Sequence, residues 1–324
     1  MNSTQKRKIL IIAPFSKPEM TSWLILRAFN YVGLSVEKFD YRLLAAEHGI
    51  EKMNEMLKAI VQNLPGGSVA LILKGDWINP LIFEGRWDLK RVLWFFDFDA
   101  YQPHNWLRRT GRWMTAMFLM CYPWVEQLRE EGVNAFYLPQ ATDPTVYMPM
   151  PEVKKTCDVA FIGTKKPGRG EILAWVAQHF SLEVWGEDWQ DMDFKPGKPA
   201  YLEDFCNACA RAKIIINITP SIDWPIYEKT FSQRIYMAAG CGACILTDRI
   251  PGLDEFFDKN EIAVYDEKYL MNQIKFLLDN KVLRESIGKA ARRRVLMQHQ
   301  YIHRIKEMFT CLGLSLSALR SSQA

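Results

Sequence analysis

The sequence predicts an α/β protein made of two Rossmann-like domains in succession, each wound on a parallel sheet. Three observations lead there. Short apolar runs alternate with stretches of helical periodicity along the chain. The alternation stops at a proline-spaced segment, Pro139, Pro144, Pro149 and Pro151, and then starts again. The chain has 324 residues, more than one core normally organises. Open α/β sheets gather their loops at the strand carboxyl ends, so two of them are expected to face each other across a ligand cleft. The expected boundary follows residue 150.

Taken in order, the first strand is expected over Lys8 to Ala13, because its apolar run is bounded by basic residues and by Pro14. Thr21 to Tyr31 has helical spacing, Ser35 to Phe39 reads as a strand, and Leu43 to Leu64 as one long amphipathic helix closed by Pro65-Gly66-Gly67. Val69 to Leu73 and Arg91 to Phe96 are nearly all apolar, as strands covered on both faces are. Trp113 to Met120, a helix from Trp124 to Glu131 and a strand from Ala135 to Leu138 complete the first half. The second half predicts a strand over Cys157 to Ile162, a glycine-rich loop, a helix over Glu171 to Phe180 and a strand over Leu182 to Trp185. A helix over Leu202 to Ala212 and a strand over Ile214 to Ile218 follow. Beyond the central stretch come a strand over Ile262 to Tyr265 and helices over Lys268 to Leu278, Lys281 to Met297 and His299 to Leu312.

Composition excludes several classes. The chain is 49% hydrophobic and 24% charged, an ordinary globular balance. A net charge of +4 suits an anionic small substrate or a membrane surface, and no long basic stripe speaks for nucleic acid. No apolar run approaches the ~18 residues that cross a bilayer. The apolar run after MNSTQKRK is too short for a secretory leader, and the seven cysteines are an odd number, so a reduced, cytoplasmic setting is expected.

The stretch Lys229 to Asp248, KTFSQRIYMAAGCGACILTD, carries the central site. Thr230 and Ser232 are N-cap residues by type, and Arg234 falls in the first helical turn. Ile235, Ala238 and Ala239 form a face that packs on a sheet. Gly240-Cys241-Gly242 ends the helix, and Ala243 to Leu246 reads as a covered strand. A helix N-terminus with a hydroxyl and an arginine is an anion site. The loop GTKKPGRG, Gly163 to Gly170, offers glycines, the Thr164 hydroxyl and the cations Lys165, Lys166 and Arg169 ahead of a helix. That is how a backbone cradle for phosphate is built, although a basic surface turn would look the same. It has neither the GK[ST] ending nor the GxGxxG spacing, so no dinucleotide cofactor is expected.

In the first half, Asp97-Phe98-Asp99 follows an apolar strand. A carboxylate there, or His104 on the same loop, can take a proton from an attacking hydroxyl, or Asp97 simply caps a turn or pairs with Arg108 or Arg109. Cys206-x-x-Cys209 and Cys241-x-x-Cys244 have zinc-like spacing, but they fall in an apparent helix and beside an apolar strand, where free thiols are buried. No metal is expected. Arg292-Arg293-Arg294 reads as a solvated helix face or a contact for anionic lipid.

These residues resemble the group 1 glycosyltransferases of the CgeB spore-maturation type. The pieces that carry the resemblance are VLWFFDFD (Val92 to Asp99), YLPQATDPTVYMP (Tyr137 to Pro149) and CDVAFIGT (Cys157 to Thr164). VWGEDW (Val184 to Trp189), KIIINIT (Lys213 to Thr219), SQRIYMAAGCGACILTD (Ser232 to Asp248) and QHQYIHRIKEM (Gln298 to Met308) continue it. The resemblance implies the GT-B fold, with a nucleotide-sugar donor on the second domain (151–297), the acceptor facing the first, and the last helix (298–312) packing back on the first. It implies donor contacts from Gly163, Thr164, Ser232, Arg234 and the Gly240–Gly242 turn. Lys165, Arg169, Tyr227, Lys229 and Thr230 join the candidate binding set, and Asp97, His104 and Arg234 the catalytic set. One departure stands out: many relatives carry a ribose-binding glutamate where this chain has Met237.

The function expected is metal-independent transfer of a sugar from a nucleotide sugar to a hydroxyl of a carbohydrate, lipid-linked or protein acceptor. Met237 motivates the rival expectation, a sugar-nucleotide-binding relative without turnover.

Overall fold

The computed structural model describes residues 6–97, 104–194, 196–221 and 228–323. Among them the chain divides into two compact units, 1–139 with 301–324, and 140–300.

In the first unit, β1 (Ile9–Ile12), α1 (Thr21–Tyr31), β2 (Glu37–Phe39), α2 (Tyr41–His48), α3 (Ile50–Gln62) and β3 (Val69–Leu73) follow one another. Then come β4 (Lys90–Phe95), α4 (His104–Gly111), β5 (Ala116–Leu119), α5 (Tyr122–Glu130) and β6 (Ala135–Tyr137). The six strands form one parallel sheet in the order β2-β1-β3-β4-β5-β6. Its central strands are buried throughout, which is why their sequences are apolar without alternation. The single helix expected over 43–64 is two helices. Gly49 takes φ +86°, a left-handed region that L side chains avoid, and the chain turns there. Asp40 caps the first of the pair by accepting from the Leu43 N–H at 3.1 Å.

The second unit contains β7 (Cys157–Ile162), α6 (Arg169–Ala177), β8 (Leu182–Trp185), α7 (Leu202–Arg211) and β9 (Ala212–Asn217). After them come α8 (Gln233–Gly240), β10 (Ile245–Asp248), β11 (Ala263–Tyr265), α9 (Leu270–Asp279) and α10 (Lys281–Gln298). Its sheet is also parallel, in the order β11-β10-β9-β7-β8. Strand order reverses between β7 and β9, and the carboxyl ends of those two strands border the switch point where such sheets bind ligands. The core packs Val159, Phe161, Trp189, Ile214, Ile216 and Leu246 between sheet and helices.

The proline-spaced segment, expected to close the first domain at residue 150, packs within the second unit instead. Tyr147 stacks edge-on against Phe205 at 5.5 Å, and Thr142 forms a bridge with Gln300. The chain then re-enters the first unit through α11 (Tyr301–Cys311), followed by α12 (Leu316–Gln323). Phe309 meets Phe29 of α1 edge-on at 5.9 Å, and buried Arg304 donates from Nε to the Pro139 carbonyl at 3.0 Å.

Candidate functional site

The site is built at the switch point of the second sheet. β7 runs into Gly163, whose N–H donates to the Trp185 carbonyl at 2.7 Å and whose carbonyl accepts from Trp189 Nε1 at 2.8 Å. This anchors the strand end from both sides. Gly163 has φ +155°, and a Cβ there would overlap the Arg234 guanidinium. The glycine is therefore what lets the arginine lie against the strand end.

Arg234 enters from the first turn of α8. Ser232 caps that helix, its Oγ accepting from the Arg234 N–H at 3.3 Å. The Arg234 guanidinium sits 4.5 Å from the Phe161 ring centroid, and its Nη1 donates to Asn217 Oδ1 at 3.0 Å. Asn217 is itself oriented by donating from Nδ2 to Thr247 Oγ1 at 3.0 Å and to Asp248 Oδ1 at 3.4 Å. Arg169 opens α6 and is buried. It donates from Nε to the Ile218 carbonyl at 3.0 Å and from Nη1 to the Thr164 carbonyl at 2.8 Å, and lies 5.3 Å from the same Phe161 ring.

Two guanidinium groups thus share one aromatic ring at the carboxyl ends of β7 and β9. Burial pushes the Arg234 pKa down from its ordinary range, the Arg169 charge pushes it further, and Asp248 opposes both. Among the described residues no carboxylate pairs directly with Arg234. An arginine does not give up its proton at working pH, so the strain of two like charges stays in the site. An anion placed against both guanidinium groups would relieve it.

The structure brings Gly163, Thr164, Arg169, Ser232 and Arg234 together, all named from sequence. It does not bring the rest. Lys165 is committed to an ion pair with Asp191. Lys229 pairs with Glu255 at 2.9 Å, and buried Thr230 donates to the Glu228 carbonyl at 3.1 Å. Gly240 and Gly242 end α8, a helix length of about 12 Å from Ser232 at 1.5 Å per residue. A Cβ on Gly240 would press on Thr142 and the Tyr147 carbonyl at 3.0 Å, and the Gly242 carbonyl packs against Gly288, so both glycines serve packing. Met237 is buried in the core. Tyr227 lies outside the described residues, as do Phe98 and Asp99.

Asp97 lies in the first unit, past the end of β4, and pairs with Lys74 at 2.6 Å, a partner that the sequence reading did not name. Arg108 instead pairs with Glu131 at 3.5 Å. His104 opens α4, and its side chain lies outside the described residues. Sequence reasoning missed Phe161, Asn217 and Asp248. The signal available was a polar residue closing an apolar strand, in KIIIN and in ILTD.

The remaining motifs resolve as structure. Cys206 and Cys241 are buried, with sulfurs 3.6 Å apart. Among the described residues no group of three or more His, Cys, Asp or Glu side chains is placed to hold a metal ion. Arg292 donates to the Gly240 carbonyl, and Arg294 pairs with Asp258 and Glu261. Among the described residues no helix is long and apolar enough to cross a membrane.

Residues 169–310 match the family model described as glycosyl transferase-like. The matched span begins at Arg169 and includes Asn217, Arg234 and Asp248. No curated protein matches the chain. Among solved structures, HepE from Anabaena, crystallised with UDP and glucose, is 11% identical, with 95% of this chain and 99% of that one covered and a TM-score of 0.67. Sucrose-phosphate synthase from Thermosynechococcus elongatus is 12% identical over 95% and 98% of the two chains, with a TM-score of 0.66. A glycosyltransferase from Rickettsia africae is 12% identical over 96% and 100%, with a TM-score of 0.64. At these identities the likeness establishes the fold, two parallel-sheet α/β domains of the GT-B class.

Proposed function

We propose that the second unit binds the diphosphate of a nucleotide-linked sugar and that the protein transfers the sugar to a hydroxyl acceptor. The observation that carries this reading is the Arg169–Arg234 pair around Phe161, with Arg234 against Gly163. The oxygen of the acceptor hydroxyl bonds to the anomeric carbon. The bond from that carbon to the diphosphate oxygen breaks, and the diphosphate leaves with the electron pair. Arg169 and Arg234 supply the positive charge that the leaving group needs, in place of a divalent cation. Fixed cations of this kind are usually the largest catalytic contribution. Asp97 is the candidate base for the acceptor proton. HepE, solved with UDP-glucose, supports the donor class. Carbohydrate, lipid-linked and protein hydroxyls all remain candidate acceptors, and a cytoplasmic setting fits the thiols.

Two observations favour a second reading, a binding protein without turnover. Met237 is buried, and Asp97 is engaged by Lys74. Calorimetry with a panel of sugar nucleotides, followed by a product assay over an acceptor panel, separates the two. Binding with product formation supports the transferase. Binding of a sugar nucleotide with no product from any acceptor, and none by hydrolysis, supports the second reading.

A further inference from the structure

Next to the arginine pair, still within the second unit, a pocket of about 320 Å³ opens at the carboxyl ends of β9, β10 and β11. It begins one step from the arginines. The Ile218 carbonyl that holds Arg169 belongs to a pocket residue, and Asp248, which orients Asn217, lines the pocket wall. The next residue, Thr219, donates its N–H to Asp248 Oδ2 at 3.2 Å.

The chemistry of this pocket is opposite to that of the arginine pair. Asp248, Asp266 and Glu267 line it, with the Thr219 and Ser221 hydroxyls, and Arg249 lies among them. Tyr265 is the telling residue. It is only 3% exposed, it lines the pocket, and its hydroxyl is buried with no hydrogen-bond partner among the described residues. A buried O–H without a partner is uncommon in a folded protein and asks for a ligand or water. Burial, and then the charges of Asp248 and Glu267, push this phenol well above the ordinary tyrosine range. It therefore stays a donor at any working pH. The carboxylates are acceptors only. A cation is the obvious alternative occupant of an acidic pocket, but no described group of three carboxylates or other ligands is placed to hold one.

We propose that this pocket receives a vicinal diol carried by the same diphosphate ligand, with Asp248 and Glu267 accepting from its hydroxyls and Tyr265 donating to one of them. The proposal rests on the diphosphate reading above and adds which part of the ligand lies beyond the phosphates. A diol is the group that two carboxylate acceptors and one hydroxyl donor satisfy together. Asp248 already accepts from Thr219, Thr247 and Asn217, so it is fixed before the ligand arrives.

Two diols are available on a sugar nucleotide, that of the ribose and that of the transferred sugar. Calorimetric titration of the full chain tells them apart. The probes are inorganic pyrophosphate, UDP, ADP and GDP, the 2′,3′-dideoxy analogues of these nucleotides, and UDP-glucose. The variants are Tyr265→Phe, which removes only the hydroxyl, and Glu267→Gln. If the ribose is held, the dideoxy analogue binds at least about tenfold more weakly than the ribonucleotide, because a site built for a hydroxyl rejects its absence. Both variants then weaken the ribonucleotide and leave its dideoxy analogue and pyrophosphate unchanged. If the transferred sugar is held, the variants weaken UDP-glucose and leave UDP unchanged. Either pattern supports the proposal. Pyrophosphate binding with no probe altered by either variant overturns it and leaves the diphosphate reading standing. Failure of wild type to bind both pyrophosphate and every nucleotide overturns the two together.

Discussion

The two sheets turn at comparable points, and their side chains treat charge in opposite ways. In the first unit the strand order reverses between β1 and β3. There Arg42 pairs with Asp76 at 2.9 Å, the Tyr41 hydroxyl donates to Asp76 at 2.7 Å, and Lys74 pairs with Asp97. Arg42 and Lys74 thus each have a carboxylate partner. At the switch point of the second unit, Arg234 has the neutral amide of Asn217 and a ring face, with a second arginine beside it. The same topology yields one edge where the named cations are paired with carboxylates and one where, among the described residues, Arg234 has no direct carboxylate partner and only the more distant charge of Asp248 opposes its burial. Fold position alone therefore does not set the charge at a switch point; the side chains that close the strands do.

The sharpest way to break this contrast is Arg234→Met. Removing the guanidinium should weaken nucleoside diphosphate binding by about a hundredfold or more, since each charge-assisted contact is worth roughly 1.5–3 kcal/mol. The melting temperature without ligand should hold or rise, because a desolvated like-charge repulsion is replaced by apolar packing. Calorimetry and thermal melts read both. A large fall in melting temperature would mean that the arginine is structural.

Gly163→Ala comes next. Its Cβ would overlap the guanidinium, so Arg234 must move. Binding should fall about tenfold, with roughly 1–3 kcal/mol lost in stability from the glycine conformation and the displaced side chain. A denaturant melt beside a binding titration checks this, and unchanged affinity would show that the guanidinium position does not matter.

In the first unit, Asp76→Asn should leave nucleotide binding unchanged and lower stability by about 1 kcal/mol at neutral pH, as for a partly exposed ion pair. Desolvation raises the Asp76 pKa, but hydrogen bonds from Tyr41 and Arg42 outweigh it, and the folded value lies below the ordinary one. The stabilisation is thus present above the unfolded carboxylate pKa of about 4 and is lost as pH falls through the folded value. Denaturant melts from pH 7 down to pH 3 should show wild type and variant converging at the acid end. A constant gap across that range would contradict the assignment.

The smallest effect is expected from Lys165→Ala, less than about twofold on diphosphate affinity, because the lysine is already committed to Asp191 at the surface. A tenfold loss would move the binding site into the loop.

Much of the fold was readable because buried parallel strands must be apolar on both faces, as VALIL and KIIIN are. The break at Gly49 was hidden, since a helical face continues through a glycine in sequence while the backbone does not. At the candidate site, the loop GTKKPGRG and the SQR entry to α8 pointed to the strand ends where Arg169 and Arg234 meet over Phe161. What they did not reveal was direction. Arg169 turns inward to two carbonyls while Lys165 turns out to Asp191, a choice made by partners distant in sequence. Gly240 and Gly242 entered the candidate set only through the resemblance; they close the C-terminal end of α8, whereas free N–H groups lie at its N-terminal end. Asn217 and Asp248 stayed unseen because a lone polar residue closing an apolar strand carries no spacing to mark it.

The most direct test of the arginine pair is a calorimetric titration of inorganic pyrophosphate into wild type and Arg234→Met under identical salt. The account predicts saturable binding to wild type and loss of that binding in the variant, with the variant folded by circular dichroism. Equal binding to both proteins would contradict it.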